Sequence, residues 1–531
     1  MRYNYFILFL LTYFSNFAQV PIVEWQKTLG GSGTDLLKSI AEKNNNFILA
    51  GFSNSPISGN KTSVNSSTSF NDIWTISLNT SGTINWQNAY THSMPPNLLQ
   101  DNLATLHFFD GSFFFGVTYD EFDVFMSRIH KFNENGSYQN FVFPGKDLNC
   151  FGINPSNYDV VTTDYFKTND GNYIYSGTNG NISLTCSNHR INYYISKSAS
   201  LSYNSVIWDN EFSGSANDIL AATIETSDNG FLLIGASNSN IGNDKTENSK
   251  GAYDYWIIKT DNLGAITWQK TIGGSGTDEP KTVIQTPDGG YLIAGSSNSN
   301  NSGDKTENSK GGFDFWLVKL DLNGTVLWDK TIGGNQDDLF SKMIATNDGG
   351  YILLGSSKSG ISSNKSEDSR GLFDNWMVKI NATGTVLWDK TIGGNLNDFG
   401  YDILQTSDSG FLVASTSNSG ISGEKTEGSY GEKDYWVVKF SPENLATLDH
   451  QINTSIQIAP NPTSGNFTVN FGTLQNNISV TVTNLLGQVI TKSNFNTVTA
   501  AEMELQTEAG MYLITVETEN HQKSTFKIVK N

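Results

Sequence analysis

Between residues 19 and 442 the apolar residues fall into short runs that recur about every sixty positions. The stretch from Lys281 to Ile332 shows one period. A run centred on Val283 and Ile284 is followed by Pro287-Asp288-Gly289-Gly290, a turn signal in which glycine is free to take positive φ. The run YLIAGSS follows, then a polar loop over 298–312, then FDFWLVKLD, apolar at consecutive positions. Leu322-Asn323-Gly324 is a second turn signal, and TVLWDKTI closes the period before Gly333-Gly334. Runs of this length, rich in β-branched and aromatic residues and bounded by turn residues, predict four strands per period. The third, apolar on both faces, predicts a strand buried between two sheets.

The tryptophans set the register. Trp208, Trp268, Trp328 and Trp388 are 60 apart, and Trp25 and Trp86 are 61 apart. A second series sits in Asp-x-Trp, at Trp74, Trp256, Trp316, Trp376 and Trp436, and the two series account for all 11 tryptophans. Rings placed so regularly predict equivalent core positions. Second strands are expected near Phe47, Phe113, Tyr173, Phe231, Tyr291, Tyr351 and Phe411. Fourth strands are expected near Ile22, Thr83, Ser137, Val206, Ile266, Val326 and Val386. The chain thus begins with a fourth strand that has no preceding three, and the repeat ends near Phe440 with three strands that lack a fourth. Joining them closes a ring and removes exposed sheet edges. The fold class is therefore all-β: a seven-bladed β-propeller over 19–442, closed by its N-terminal strand. A linear β-solenoid is the alternative, and it leaves the split unit unexplained.

Both ends of the chain carry export features. Residues 1–18 have Arg2, an apolar run from Phe6 to Phe14 too short to span a bilayer, and Ala18 before a cleavage point, the pattern of a signal peptide. No later stretch predicts a transmembrane segment. After a linker at 443–455, residues 456–531 alternate as short strands and predict a small Ig-like β-sandwich. This segment carries Pro460-Asn461-Pro462, Leu485-Leu486-Gly487, Gly510-Met511-Tyr512-Leu513 and a basic end with Lys527 and Lys530. It resembles the C-terminal sorting domain of the type IX secretion system. The resemblance implies passage across the outer membrane, with the type IX machinery as partner, followed by release or attachment to the cell surface.

Composition narrows the partners. Charged residues are only 16%, so much of the polar surface must be Ser, Thr, Asn and Gly. With 33 Lys and Arg against 52 Asp and Glu, the net charge is −19, which argues against nucleic acid and anionic membrane. Cys150 and Cys186 flank the same irregular region, and in an exported protein they either pair or remain two buried thiols.

Three candidate chemistries follow. Asp228, Asp288, Asp348 and Asp408 lie in Thr-x-Asp turns that resemble the Asp-box of sialidase-type propellers, without its closing Thr-Trp. A turn aspartate can instead bond its own backbone. Arg128, Arg190 and Arg370, the arginines beyond the signal, fall in three different units, so a sialidase's arginine cluster is not expected. Asp35, Asp218, Asp278, Asp338 and Asp398 follow the first tryptophan series by ten residues. They offer oxygen ligands for calcium or, more simply, acceptors for the Gly-Gly turn. Lys245, Lys305, Lys365 and Lys425 recur in Lys-Thr/Ser-Glu loops, which read either as a polar binding face or as lysines paired with a carboxylate to order the loop.

The second and third units depart from the pattern. Asn140 and Phe125 stand at tryptophan positions, 144–160 is an insertion, and Phe108, Phe113, Phe115, Tyr119 and Phe122 form an aromatic concentration. They are the candidate binding surface, because a single asymmetric ligand needs contacts that differ around the ring. The reading is a secreted or surface-attached, non-catalytic propeller that binds glycan or protein. The alternatives are a carbohydrate-active hydrolase or lyase, or a structural surface-layer component. No catalytic residue set and no cofactor beyond calcium is expected.

Overall fold

A strand that is apolar on both sides must be covered on both sides. In the computed structural model all seven residues of Asp314–Leu320 are buried, and they divide between two cores. Phe315 and Leu317 pack with Phe340, Leu353 and Trp376 of the next unit, while Trp316, Val318 and Leu320 pack with Leu232, Tyr255 and Ile257 of the preceding one. The structure describes residues 17–531 apart from 19, 65–70, 91–104, 121–124, 143–159, 180–190, 202–204, 444, 447–455, 485–487 and 519–522. The chain divides into two units, 20–443 and a C-terminal unit that includes 444–531.

The larger unit is a seven-bladed propeller: seven four-stranded antiparallel sheets, the first strands of neighbouring blades packed against one another around the axis. In chain order the first strands are Asp35–Lys43, Thr105–Phe109, Val160–Lys167, Asp218–Glu225, Asp278–Gln285, Asp338–Ala345 and Asp398–Gln405, and they define blades 1 to 7. Blade 7 takes its fourth strand from the other end of the chain. Val23–Leu29 pairs with Asp434–Phe440, from Val23 opposite Phe440 to Leu29 opposite Tyr435. It reproduces the register shift seen between third and fourth strands in blades 1 and 3 to 6. Leu29, Leu412, Tyr435 and Val437 then share one core with Leu37, Phe47, Trp74 and Ile76 of blade 1, which closes the ring.

Substitutions between repeats follow contacts between blades. The aromatic residue second in the third strand reaches into the next blade, where Tyr193 meets Trp256, Tyr255 meets Trp316, and Tyr435 meets Trp74, each with ring centroids 4.8 Å apart. It passes over a glycine: a Cβ on Gly355 would stand 2.5 Å from the Phe315 ring. Blade 7 has Ser415 at this position, and there the reaching residue of blade 6 is the smaller Asn375, whose Oδ1 accepts the Ser415 hydroxyl at 2.9 Å. The first strands of blades 1 and 3 to 7 also carry a β-bulge where their pairing to the second strand shifts, while that of blade 2 pairs in unbroken register. The amide just before the bulge donates to a hydroxyl of the preceding blade: Leu220 to Thr178, Phe340 to Ser296, Gly400 to Ser356 and Leu37 to Thr416. Pro280 has no N–H to donate, and the residue in the preceding blade's hydroxyl position is Ala236.

The C-terminal unit is one continuous sheet folded over its own core. Its strands are Gln457–Ala459, Asn466–Asn484, Val489–Glu504, Gly510–Glu517 and Lys523–Lys530. The two long strands lose regular pairing between Asn470 and Gln475, where Gly472 has φ +71°. Before the break the long strand pairs with Gln457–Ala459, and after it with Gly510–Glu517. Phe467, Val469 and Phe471 of one half pack with Val480, Val482, Ile514 and Ile528, giving the two layers of a small sandwich.

Removal of residues 20–29 is expected to leave blade 7 with an unpaired edge and to strip Leu29 and Trp25 from the core it shares with blade 1. We expect the propeller to melt roughly 10 °C lower or to associate through that edge. A melting curve that matches the intact protein would contradict the closure.

Candidate functional site

Two loops of every regular blade meet on one face of the ring: the long loop between second and third strands, and the Gly-Gly segment leading to the next first strand. The repeated polar residues of this face are mostly turned inward. Lys61, Lys245, Lys305, Lys365 and Lys425 are only 1–2% exposed. Each places its ammonium over the face of its own blade's tryptophan, 5.3 to 5.6 Å from the ring centroid, at Trp74, Trp256, Trp316, Trp376 and Trp436. Hydroxyls complete the cage: Lys245 donates to Ser237 at 2.7 Å, and Lys425 to Thr28 at 2.8 Å. Burial pushes the Lys245, Lys305 and Lys365 ammonium groups down to about 8 against the opposing pull of nearby aspartates. These lysines therefore present no charge to a ligand, and of the two readings of the loop their burial fits the one in which they order it, as an internal plug. The outward partner in the motif is the glutamate. Glu427 bonds Lys27 at 2.9 Å and the Thr28 amide at 2.7 Å, and Glu367 bonds Lys390 at 2.8 Å, tying the loop to the fourth strand.

The aspartates are also structural. Asp278 is fully buried and accepts the Gly274 amide at 2.7 Å and the Ser299 hydroxyl at 3.0 Å. Asp35, Asp218, Asp338 and Asp398 accept the corresponding glycine amides at 2.6 to 2.8 Å. The Asp of Asp-x-Trp lies on the other side of the same segment: a Cβ on Gly273 would stand 1.8 Å from Asp254 Oδ1, which explains the glycine. Burial raises Asp338, Asp374 and Asp434 to about 6. On the opposite face, Asp288 accepts the Thr286 hydroxyl at 2.5 Å and the Gly290 amide at 3.0 Å, as a turn aspartate should. Its second partner escaped the sequence reading. Lys319, of the third strand, reaches it at 3.0 Å, as Lys259, Lys379 and Lys439 reach Asp228, Asp348 and Asp408 at 2.8 to 3.0 Å. The recurring Trp-x-x-Lys was the available signal. Thr286 and Lys319 hold Asp288 down to about 2.

The aromatic surface expected in blade 2 is corrected in part. Phe113 and Phe115 are fully buried in the core shared with Ile48 and Ile73 of blade 1, because their strand too must cover a neighbouring sheet. Phe108 is half-buried against Phe113, with centroids 5.8 Å apart. Tyr119 lies in the strand Ser112–Asp120. Phe122, Cys150, Cys186 and Gly487 lie outside the described residues, as do residues 1–16 of the expected signal. In the C-terminal unit, Asn461 ties to the last strand, donating to the Lys527 carbonyl at 2.8 Å and accepting the Val529 amide at 3.0 Å. Pro460 and Pro462 flank it, and Gly510 opens the fourth strand of that unit.

The bulges supply what the repeated residues do not. The bulge and the residue after it read Lys38-Ser39, Thr163-Asp164, Ala221-Ala222, Lys281-Thr282, Ser341-Lys342 and Tyr401-Asp402 around the ring. These are innermost-strand positions of otherwise similar repeats, and no two are alike. Neighbouring blades meet through them. Lys38 lies 4.2 Å over the Tyr401 ring, Asp402 accepts Ser39 at 2.9 Å and faces Lys342 at 3.9 Å, and Asp164 faces His107 at 3.5 Å. Bulges re-aim side chains from the regular pleat. The first-strand bulges, where neighbouring blades meet and the repeats differ, are thus the candidate site.

The comparisons with known proteins fit the two units. Residues 457–531 match the family model of the secretion system C-terminal sorting domain. This is a β-propeller protein sorted by the type IX system, exported to the cell surface or secreted. No helix among the described residues is long and apolar enough to cross a membrane. No curated protein matches the chain. Among solved structures, similarity extends to the WD40 domain of Pan2 from Neurospora crassa, at 9% identity and TM-score 0.40, over 77% of this chain and 90% of that one. A puromycin hydrolase aligns at 9% identity and TM-score 0.44, over 85% of this chain and 62% of that one. An exo-β-1,3-galactanase from Phanerochaete chrysosporium aligns at 11% identity and TM-score 0.31, over 80% and 95%.

Two stability predictions follow from the buried charges. Lys305→Ala leaves Asp278 and Asp314 buried without their cation and should cost about 3–5 kcal/mol in urea unfolding, whereas Lys281→Ala, at an exposed position, should stay within about 0.5 kcal/mol. The second concerns pH. Asp338, Asp374 and Asp434 bind a proton more tightly folded than unfolded, so their stabilising contribution is full below about 4 and is lost as pH rises through about 6. Asp288 acts with the opposite sign, its contribution lost only as pH falls from about 4 toward 2. Stability should therefore decline between about pH 4 and 7, and Asp338→Asn with Asp374→Asn should flatten that decline. An unchanged slope in the double variant would refute the assignment.

Proposed function

We propose that the propeller is a non-catalytic binding module for an extracellular glycan or protein, carried out of the cell by its C-terminal domain. One observation carries the reading: the repeated ionisable residues are consumed by the fold. In blades 4 to 7 both aspartates of the Gly-Gly clamp are fully buried. There too the turn aspartate is held by a third-strand lysine, and the loop lysine is sealed over a tryptophan. A hydrolase or lyase needs carboxylates or a base turned toward a common cleft and tuned for proton transfer. Here the pKa shifts have structural causes, namely burial and turn bonding. The first-strand bulges differ from blade to blade where they occur, which suits recognition of one asymmetric ligand.

The test is a panel of polysaccharides offered to the mature protein, with retention and product release followed together. Retention without new reducing ends is expected. Release of fragments would overturn the reading in favour of an enzyme. A chain ending before residue 456 should fold and bind as the full protein does, yet accumulate in the periplasm. Normal delivery of that truncated chain would separate the sorting domain from export.

A further inference from the structure

We propose that the C-terminal unit joins two copies of this protein, their Val489–Glu504 strands pairing antiparallel through free edges to make one continuous sheet. The basis is the unequal treatment of the edges of that unit's sheet. A strand with one unpaired side presents a row of N–H and C=O groups to any other strand, and folds blunt such edges by shortening, charging or covering them. Gln457–Ala459 is an edge of three residues. Lys523–Lys530 carries Lys523, Lys527 and Lys530, and it is covered: Asn461 bonds the Lys527 carbonyl and the Val529 amide, and the Thr463 amide bonds the Val529 carbonyl at 2.8 Å. Val489–Glu504 is neither short nor covered. Among the described residues it pairs only with Asn466–Asn484, and its other side runs open for 16 residues. From Val489 to Ala501 it holds one charge, Lys492, and no proline.

The residues along this edge fit a second copy of themselves. Phe495 is a centre of near-symmetry: Asn494 and Asn496 flank it, then Ser493 and Thr497, then Lys492 and Val498, then Thr491 and Thr499. An antiparallel copy centred there sets Phe495 against Phe495, Asn494 against Asn496, Ser493 against Thr497 and Thr491 against Thr499. Aromatic pairs and paired hydroxyls are favourable cross-strand neighbours. Lys492 meets Val498, while Glu502 and Glu504 lie beyond the overlap of 489–501. No like charges therefore oppose each other at the seam, although each chain carries −19. Asn494 and Asn496 are exposed, so their amides are available to the facing strand. The same edge serves both copies, so the pairing closes at two and does not propagate into a fibre. Pairing here is independent of what the propeller binds.

Sedimentation velocity on the full mature chain tests this. We expect a monomer–dimer equilibrium in which the dimer dominates by about 100 μM. Asn494→Lys with Asn496→Lys sets lysine against lysine at both symmetric pairs and should weaken the dimer at least about tenfold. Asn494→Lys with Asn496→Glu sets opposite charges against each other in the same register and should keep the dimer. At a dilution where all three proteins are monomeric their melting curves should coincide, which separates lost contact from lost fold. A chain that stays monomeric throughout that concentration range overturns the proposal. A dimer that the double-lysine variant retains overturns the assignment to this edge, and loss of the dimer in the lysine–glutamate variant overturns the register centred on Phe495. A monomer whose 489–501 amides gain protection from hydrogen exchange only with components of the export machinery would give the edge to another protein and overturn pairing between copies.

Discussion

Everything in the propeller depends on one requirement: a sheet with two apolar faces must be covered on both. A third strand such as Asp434–Phe440, buried along its whole length, cannot sit at a boundary. The only arrangement of like sheets without a boundary is a closed ring, and Val23–Leu29 completes it. The covariation of Ser415 with Asn375, and of Ala236 with Pro280, shows the same requirement acting on single residues. Each blade is shaped by the neighbour that covers it, so a change on one side is matched on the other.

The second organising feature is the loop lysine buried over a tryptophan in each of five blades. A lysine enclosed this way is costly unless its charge is answered, and three groups answer it: the tryptophan face, the hydroxyl cage and the aspartates of the Gly-Gly clamp. The arrangement converts a long polar loop, which could otherwise wander, into a rigid cap over the blade. It also accounts for a surface poor in charge despite a strongly acidic sequence. Several of the aspartates counted in the net charge are inside the protein, and those raised toward neutrality by burial contribute less to the outer field than their number suggests.

With the repeat's own chemistry used internally, variation between blades falls to a few positions. The first-strand bulge is such a position. Its backbone is fixed by pairing and, in several blades, by the amide bond to the preceding blade, while its side chain meets the neighbouring blade and differs around the ring. A regular scaffold thus carries one variable residue pair in six of its seven blades.

The amino-acid sequence by itself determined the blade count, the strand order, the split seventh blade and the sorting domain. These follow from apolar periodicity and tryptophan spacing, and such patterns are local or repeat-wide properties that survive without coordinates. It also carried the role of the turn aspartates, because an Asx turn is made within five residues. Only the tertiary structure decided which polar residues face solvent. Lys305 and Lys281 are both lysines near the same face, yet one is sealed over Trp316 and the other is exposed at a bulge. Phe113 and Phe115 look like a surface cluster along the chain and are core because blade 1 covers them. Burial is a property of what packs against a residue from elsewhere in the chain, often sixty or four hundred positions away, and no run of neighbouring letters records it.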